Sequence, residues 1–418
     1  MSLIQLALAA EEYFRHQSDI QFTETQCVHS KYVHAACDRC VVHCPTEAIT
    51  ARNSLPVLDG ERCIRCGVCL HVCPVGAFEH KDGLYHLLNC AERLPDRETL
   101  DIVCGYHPAT ATADRAVDGV IQTGHCLSEL GSSAYVGLKA VGVKRIRVRQ
   151  DACQTCPLRV LQPEIEQSVR HAQRILAVWG MQDDLVLIQQ AAPRWHRRPL
   201  YQSKNPPVSR RGFLTLLSAE SASPKARVIV AAPEERIAPE KSVPRERERL
   251  LAALRLLIPP DSGIAAGCVL ESDDFVQFRV QESCTACGLC ERVCPTGAMR
   301  VNMARNSFTV SFAPDACTHC GLCETYCEPG ALQAVGYPTL RDVLDGVTLT
   351  LHTGTLRRCQ RCQTPFAGPV DEALCEVCRH RQSFRGGHLP DAILAKLPPA
   401  VRARLNGSPP PEDMQDPG

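Results

Sequence analysis

The chain has 418 residues, 44% of them hydrophobic and only 5% aromatic, and its 46 Lys and Arg balance its 46 Asp and Glu. This length suits two to four domains with packed cores, and the zero net charge removes the electrostatic ground for a nucleic-acid partner. No run approaches the roughly 18 apolar residues of a membrane span, and 26 cysteines without an export signature point to a reduced, cytoplasmic, metal-binding chain, not a secreted disulfide scaffold.

Taken in order, residues 1–20 meet Glu11 and Glu12 early and lack a basic start, so they read as a first helix and not a signal peptide. Residues 21–85 then carry two runs of closely spaced cysteine, Cys37-Cys40-Cys44-Pro45 and Cys63-Cys66-Cys69-Cys73-Pro74. The second is C-x2-C-x2-C-x3-C, the ligand spacing of a bacterial-type two-cluster ferredoxin. A cubane needs four soft anionic donors, and a loop with two residues between thiolates wraps three corners while its backbone N–H groups face the sulfurs. In such a pair, the first three cysteines of one run bind with the last cysteine of the other. Cys63, Cys66, Cys69 and Cys44 therefore form one set. The other has Cys37, Cys40 and Cys73, and its fourth position is contested: His34 stands in register, and Cys27 lies upstream across a longer loop. Thiolate is the commoner cubane ligand, which favours Cys27.

Residues 86–192 read as alternating strand and helix. Apolar or β-branched runs at 100–105, 118–124, 144–149 and 184–188 are separated by helical patterns at 127–141 and 158–178, which predicts a small parallel α/β sheet. Cys104, Cys126, Cys153 and Cys156 follow three of these strands, where ligands of open α/β sheets sit. They are candidates for an additional 2Fe-2S or 4Fe-4S centre, with Cys90 in reserve; the alternative is unremarkable free thiols. Residues 193–265 read as a polar linker with basic patches. Its Ser209-Arg210-Arg211-Gly212-Phe213 resembles a twin-arginine signal but lies mid-chain, so a Ser-capped basic helix start is the better reading.

Residues 266–345 repeat the first module with Cys284-Cys287-Cys290-Cys294-Pro295 and Cys317-Cys320-Cys323-Cys327. The same crossing rule groups Cys284, Cys287, Cys290 and Cys327, and separately Cys317, Cys320, Cys323 and Cys294. Residues 346–385 hold two C-x2-C knuckles, Cys359/Cys362 and Cys375/Cys378, whose layout suits tetrahedral zinc, with a rubredoxin-like iron as the alternative. Cys268 has no evident partner and is expected as a buried thiol. The tail 406–418 is disordered by composition.

Two resemblances follow from these motifs. Two ferredoxin runs followed by C-Q-R-C-Q-T-P-F and C-E-V-C-R-H-R make the C-terminal third similar to 4Fe-4S proteins associated with bacterial molybdopterin oxidoreductases of the formate dehydrogenase type. The middle block, through C-G-Y-H-P at 104–108, G-H-C at 124–126 and C-Q-T-C at 153–156, loosely resembles the iron-sulfur delta subunit of methyl-viologen-reducing hydrogenase. These likenesses imply docking to a redox protein partner of molybdopterin oxidoreductase or hydrogenase type.

The expected architecture is α+β: two bacterial-type dicluster ferredoxin modules flanking a small parallel α/β domain, with a C-terminal zinc-ribbon-like element. No G-x-G-x-x-G after a strand, no P-loop and no H-E-x-x-H is present, which favours an electron carrier with about four 4Fe-4S clusters over an enzyme. A molybdoenzyme assembly factor and a reductase acting through the middle-block thiols are the alternatives.

Overall fold

The computed structural model describes residues 20–32, 35, 37–80, 83–108, 112–190, 196–207, 224–230, 241, 243–258, 267–368, 372–375 and 377–379. The expected first helix, His34, the Ser209–Phe213 motif and the tail from Asn406 lie outside them.

Five parallel strands form the central sheet, in the order Leu200–Gln202, Gly119–Gln122, Thr99–Val103, Arg145–Arg149, Leu185–Ile188. Leu100, Ile102, Val120, Ile121, Ile146 and Val148 are all buried, as expected of a parallel sheet covered on both faces. Four of these strands match the apolar runs of the sequence. The fifth, Leu200–Gln202, comes from the stretch read as a linker and extends the sheet beside Gly119–Gln122.

Helix Leu84–Arg93 buries Leu84, Leu87, Leu88 and Ala91, one face at helical spacing. Each fully buried leucine contributes about 1.5–3 kcal/mol relative to exposure. Helix Gln162–Leu176 does the same with Ile165, Val169, Ala172 and Leu176, and its Pro163 sits in the first turn, where no amide donor is needed. Ser132–Ala140 is buried all round, because Arg245–Leu257 covers the side away from the sheet. Helices Pro224–Val230 and Arg245–Leu257 also arise from the presumed linker, so its described parts belong to the α/β core and not to a spacer.

The two cysteine-rich segments fold alike. In the first, Ile49–Arg52 and Leu55–Leu58 form a hairpin between the cysteine runs, and Gln21–Phe22 pairs with Phe78–Glu79. In the second, Met299–Met303 pairs with Ser307–Phe312, and Gln277–Val280 pairs with Leu332–Gly336. Strand Leu349–Thr355 joins Ser307–Phe312 as a third strand, so the start of the stretch assigned to the knuckles belongs to the second module's sheet.

The two modules flank the α/β block in sequence but not in space. Phe78, Val75 and Ile49 of the first share one apolar core with Phe278, Phe312 and Val293 of the second. Among the described residues no helix is long and apolar enough to cross a membrane.

Candidate metal centres

The cysteine loops owe their shape to left-handed residues at repeated places. In the three regular runs the second residue after the first cysteine has positive φ (Arg65 54°, Ala286 56°, His319 48°), as does the glycine after the second cysteine (Gly67 77°, Gly288 69°, Gly321 76°). A non-glycine residue held there costs about 1–2 kcal/mol. The return is a nest of amides turned toward sulfur. The His319 N–H donates to Cys317 Sγ at 3.4 Å, Ala48 N–H to Cys44 Sγ at 3.2 Å and Ala77 N–H to Cys73 Sγ at 3.3 Å.

The folded chain gathers the thiols into groups drawn from both runs of each module. Cys40 is pushed up to about 12, first by burial and then by the charges of Cys73, Cys37 and Cys27. Cys27 itself is raised by burial and by Cys73 and Cys37. Cys66 is pushed up to about 12 by burial, with further repulsion from Cys44 and Cys63, and Cys69 is raised by burial and by Cys66, Cys63 and Cys44. In the second module, Cys290 reaches about 12 through burial and through Cys284, Cys287 and Cys327. Cys317 is driven to about 12 by burial, with Cys320 and Cys294 opposing its charge as well. Cys323 is likewise raised by burial and by Cys317, Cys320 and Cys294.

Such crowding is unfavourable for thiolates alone and favourable around a cation, which deprotonates a coordinating thiol outright. The walls fit the same need. Cys284, Cys287, Cys290 and Cys327 line one cavity with Thr285, Val280, Leu289 and Leu332, and Cys44, Cys63, Cys66 and Cys69 line another with Cys40, Thr46, Ile49 and Leu58. Mostly apolar walls whose donors are mainly sulfur suit an iron-sulfur cluster.

The middle-block thiols also converge. Strand Thr99–Val103 is followed in the chain by Gly119–Gln122 on one side and by Arg145–Arg149 on the other, so the strand order reverses there and opens a crevice at the carboxyl ends. Cys104 is pushed up to about 12 by burial, then by Cys126, Cys153 and Cys156. Cys153 is pushed equally high by burial, Cys126 and Cys156. The Leu158 N–H donates to Cys156 Sγ at 3.4 Å. Cys90 is not part of this group: it is fully buried in helix Leu84–Arg93, in the apolar core. Cys268, expected as a buried thiol, is half-exposed.

At the knuckles, strands Arg357–Arg358 and Pro365–Phe366 form a short hairpin. The four sulfurs of Cys359, Cys362, Cys375 and Cys378 lie within 4.8 Å of one another. Cys362 and Cys375 are separated by 3.6 Å, close to the about 3.8 Å edge of a tetrahedron with metal–sulfur bonds of ~2.3 Å. Burial opposes ionisation of Cys359, yet backbone N–H groups of Cys375, Cys362 and Arg361 draw its thiol down to about 6.

One important residue escaped the sequence reading. Arg247 lies in the presumed linker but is buried, donating to the carbonyls of Asp315 (2.9 Å), Asp274 (2.8 Å) and Pro314 (2.8 Å) and stacking on Phe275 at 4.0 Å. It thereby fixes the entry to the Cys317 loop. The available signal was its place in the helical stripe Arg247, Leu250, Leu251, Leu254.

Comparison with known proteins agrees with this geometry over the two repeated segments. Residues 35–77 and 283–331 match the model of the 4Fe-4S dicluster domain. A 47-residue stretch is 43% identical to an uncharacterized ferredoxin of Methanocaldococcus jannaschii, covering 11% of this chain and 31% of that protein. The chain thus spans about a third of the length of this curated relative. Cys27 lies upstream of the first matched segment. The two segments are 4Fe-4S dicluster domains of the ferredoxin type.

Proposed function

We propose that this chain is a cytoplasmic electron-transfer subunit that relays single electrons between redox proteins. The observation that carries the reading is the pair of dicluster-domain segments, in each of which cysteines of both runs crowd one another, with Cys27 beside the first. Cys27, Cys37, Cys40 and Cys73 would hold one 4Fe-4S cluster, and Cys44, Cys63, Cys66 and Cys69 a second. In the other module the sets are Cys284, Cys287, Cys290 and Cys327, and Cys294, Cys317, Cys320 and Cys323. Cys104, Cys126, Cys153 and Cys156 are assigned to a further iron-sulfur centre, and Cys359, Cys362, Cys375 and Cys378 to one structural zinc in a ribbon-like element. Each cluster supplies reversible one-electron chemistry; the protein supplies thiolates, amide donors and walls that exclude water. The resemblance to proteins of molybdopterin oxidoreductases, with that to a hydrogenase subunit, supports a partner of one of these types.

Anaerobic purification with iron, sulfide and zinc counts tests this. Four cubanes require roughly 16 iron atoms, and the middle centre adds about 2–4. A tetrahedral knuckle site adds about one zinc. A reconstituted chain holding fewer than about 12 iron atoms fails the four-cluster reading.

A further inference from the structure

Two contacts tie the thiol groups into one series. At one joint Arg39, beside Cys40 of the first module, bonds to His319, beside Cys320 of the second. At the other, Cys66 of the first module and Cys126 of the α/β block pack against the same small apolar cluster. Within the first module Cys69 and Cys73, which belong to different groups, are held about one helical turn apart by helix Val68–Val72, which Cys73 closes. The second module joins its two groups covalently, because Cys294 and Cys327 each cross to the other run's group.

From these contacts we infer that the five groups stand in single file. The order is Cys284/Cys287/Cys290/Cys327, then Cys294/Cys317/Cys320/Cys323, then Cys27/Cys37/Cys40/Cys73, then Cys44/Cys63/Cys66/Cys69, and last Cys104/Cys126/Cys153/Cys156. This rests on the electron-carrier reading and goes beyond it. It also departs from the chain order: the block in the middle of the sequence stands at one end of the file.

Both junctions are built from specific contacts. At the first, Arg39 Nη2 donates to the His319 carbonyl at 3.0 Å, the Tyr32 hydroxyl donates to the Arg292 carbonyl, and the Tyr32 and Tyr326 rings meet at 5.9 Å. Arg39 places a permanent cation between two anionic groups, which eases the repulsion that accompanies each added electron. At the second, Ser128 Oγ donates to the Cys66 carbonyl at 3.0 Å, His71 Nε2 lies 2.9 Å from the Ser128 carbonyl, and Ile64, Val68 and Leu161 close the joint with apolar contact. Both ends of the file meet solvent: Cys287 is exposed at one, and Gln154, Thr155 and Pro157 are exposed around Cys153 and Cys156 at the other.

A one-electron donor protein at one end and a one-electron acceptor protein at the other complete the balance. Each electron lost by the donor is gained by the acceptor, no bond forms or breaks, and no proton is released.

The test is the pattern of magnetic coupling in the full-length, iron-loaded, reduced chain, read by electron paramagnetic resonance. In the unmodified protein the pair formed by the Cys287 group and the Cys104 group must show the longest dipolar separation of any pair; a shorter one overturns the order. Cys66→Ala should remove the coupling of the Cys104 group's signal while the second module's two groups remain coupled to each other. Cys40→Ala should uncouple the two halves and leave the Cys66 and Cys104 groups coupled. Persistent coupling of the Cys104 group after Cys66→Ala would sink the inference. Iron counts separate the two levels of failure: an iron-poor chain refutes the carrier reading, whereas a fully loaded chain with another coupling pattern refutes the single file alone. Should a variant lose neighbouring iron, the dipolar separations of the unmodified chain still decide the order.

Discussion

At the scale of single residues, identical letters in repeated motifs carry different loads. Gly67 and Gly288 both follow the second cysteine of a run and share a left-handed backbone, at φ 77° and 69°. A Cβ on Gly67 would stand 2.6 Å from Glu129 Cβ and 2.8 Å from its Cα, while one on Gly288 would meet nothing within 4 Å. Gly288→Ala should therefore cost only the backbone term, about 1 kcal/mol. Gly67→Ala adds overlap with backbone that cannot yield and should cost about 3 kcal/mol. Thermal inactivation of the two loaded variants under the same anaerobic conditions checks the ranking, and equal losses would contradict it. The contested ligand is decided at this scale too. Cys27→Ala should lower the iron count by about four atoms, and His34→Ala should leave the count unchanged.

Among the elements, the parallel sheet holds buried charge that apolar periodicity does not reveal. Asp101 and Arg147 are cross-strand partners, and Arg147 Nε lies 3.1 Å from the fully buried carboxylate, with Arg149 Nη1 at 3.8 Å. Burial raises the Asp101 carboxyl from 3.8 to about 6, and the two arginines recover only part of that. Because its folded value lies above its ordinary one, the folded chain keeps a proton between roughly pH 4 and 6 that the unfolded chain has lost. The contribution of this group to stability is thus full below that window and declines as pH rises through it. Infrared difference spectra should show a protonated-carboxyl band titrating near pH 6, and Asp101→Asn should abolish it.

Helix Arg245–Leu257 offers a second test at the same scale. Arg247→Met keeps much of the volume but leaves three carbonyls without their donor, a loss on the order of 3 kcal/mol. Its selective signature is a changed resonance from the Cys317 group with the Cys44 group unaltered. Uniform loss of every signal would point instead to general unfolding.

For the whole molecule, the knuckles and the cluster modules are distinct in chemistry but joined in structure. Strand Leu349–Thr355 extends the second module's sheet, and the Ala367 N–H donates to the Thr285 carbonyl at 3.4 Å. Cys362 is the exposed member of the four-sulfur set, so a chelator can enter from its side. Treatment with a strong zinc chelator should release about one zinc and increase protease cleavage within residues 356–379, with the iron count intact. Loss of iron at the same rate would mean that the four sulfurs are not a separate site.

Much of the site was legible in the sequence because thiolate spacing is a local property: a loop with two intervening residues can wrap a cube without help from distant chain. The crossing of last cysteines is an expectation of the paired motif and depends on both runs coming together. The alternation of apolar strand and amphipathic helix likewise announced the parallel sheet and its helices Ser132–Ala140 and Gln162–Leu176. Other features were settled by packing between segments far apart in the chain. Cys27 joins Cys37, Cys40 and Cys73 only once a loop outside the regular motif has folded back. Leu200–Gln202 and helix Arg245–Leu257 become core only against the partners they cover, and Arg247 is disguised by its charge. The neighbours of each thiol group were decided last. Nothing in the spacing of cysteines sets Arg39 against His319 or Ser128 against Cys66; the first contact requires the two modules to bury a common apolar core, and the second requires the first module to pack on the α/β block.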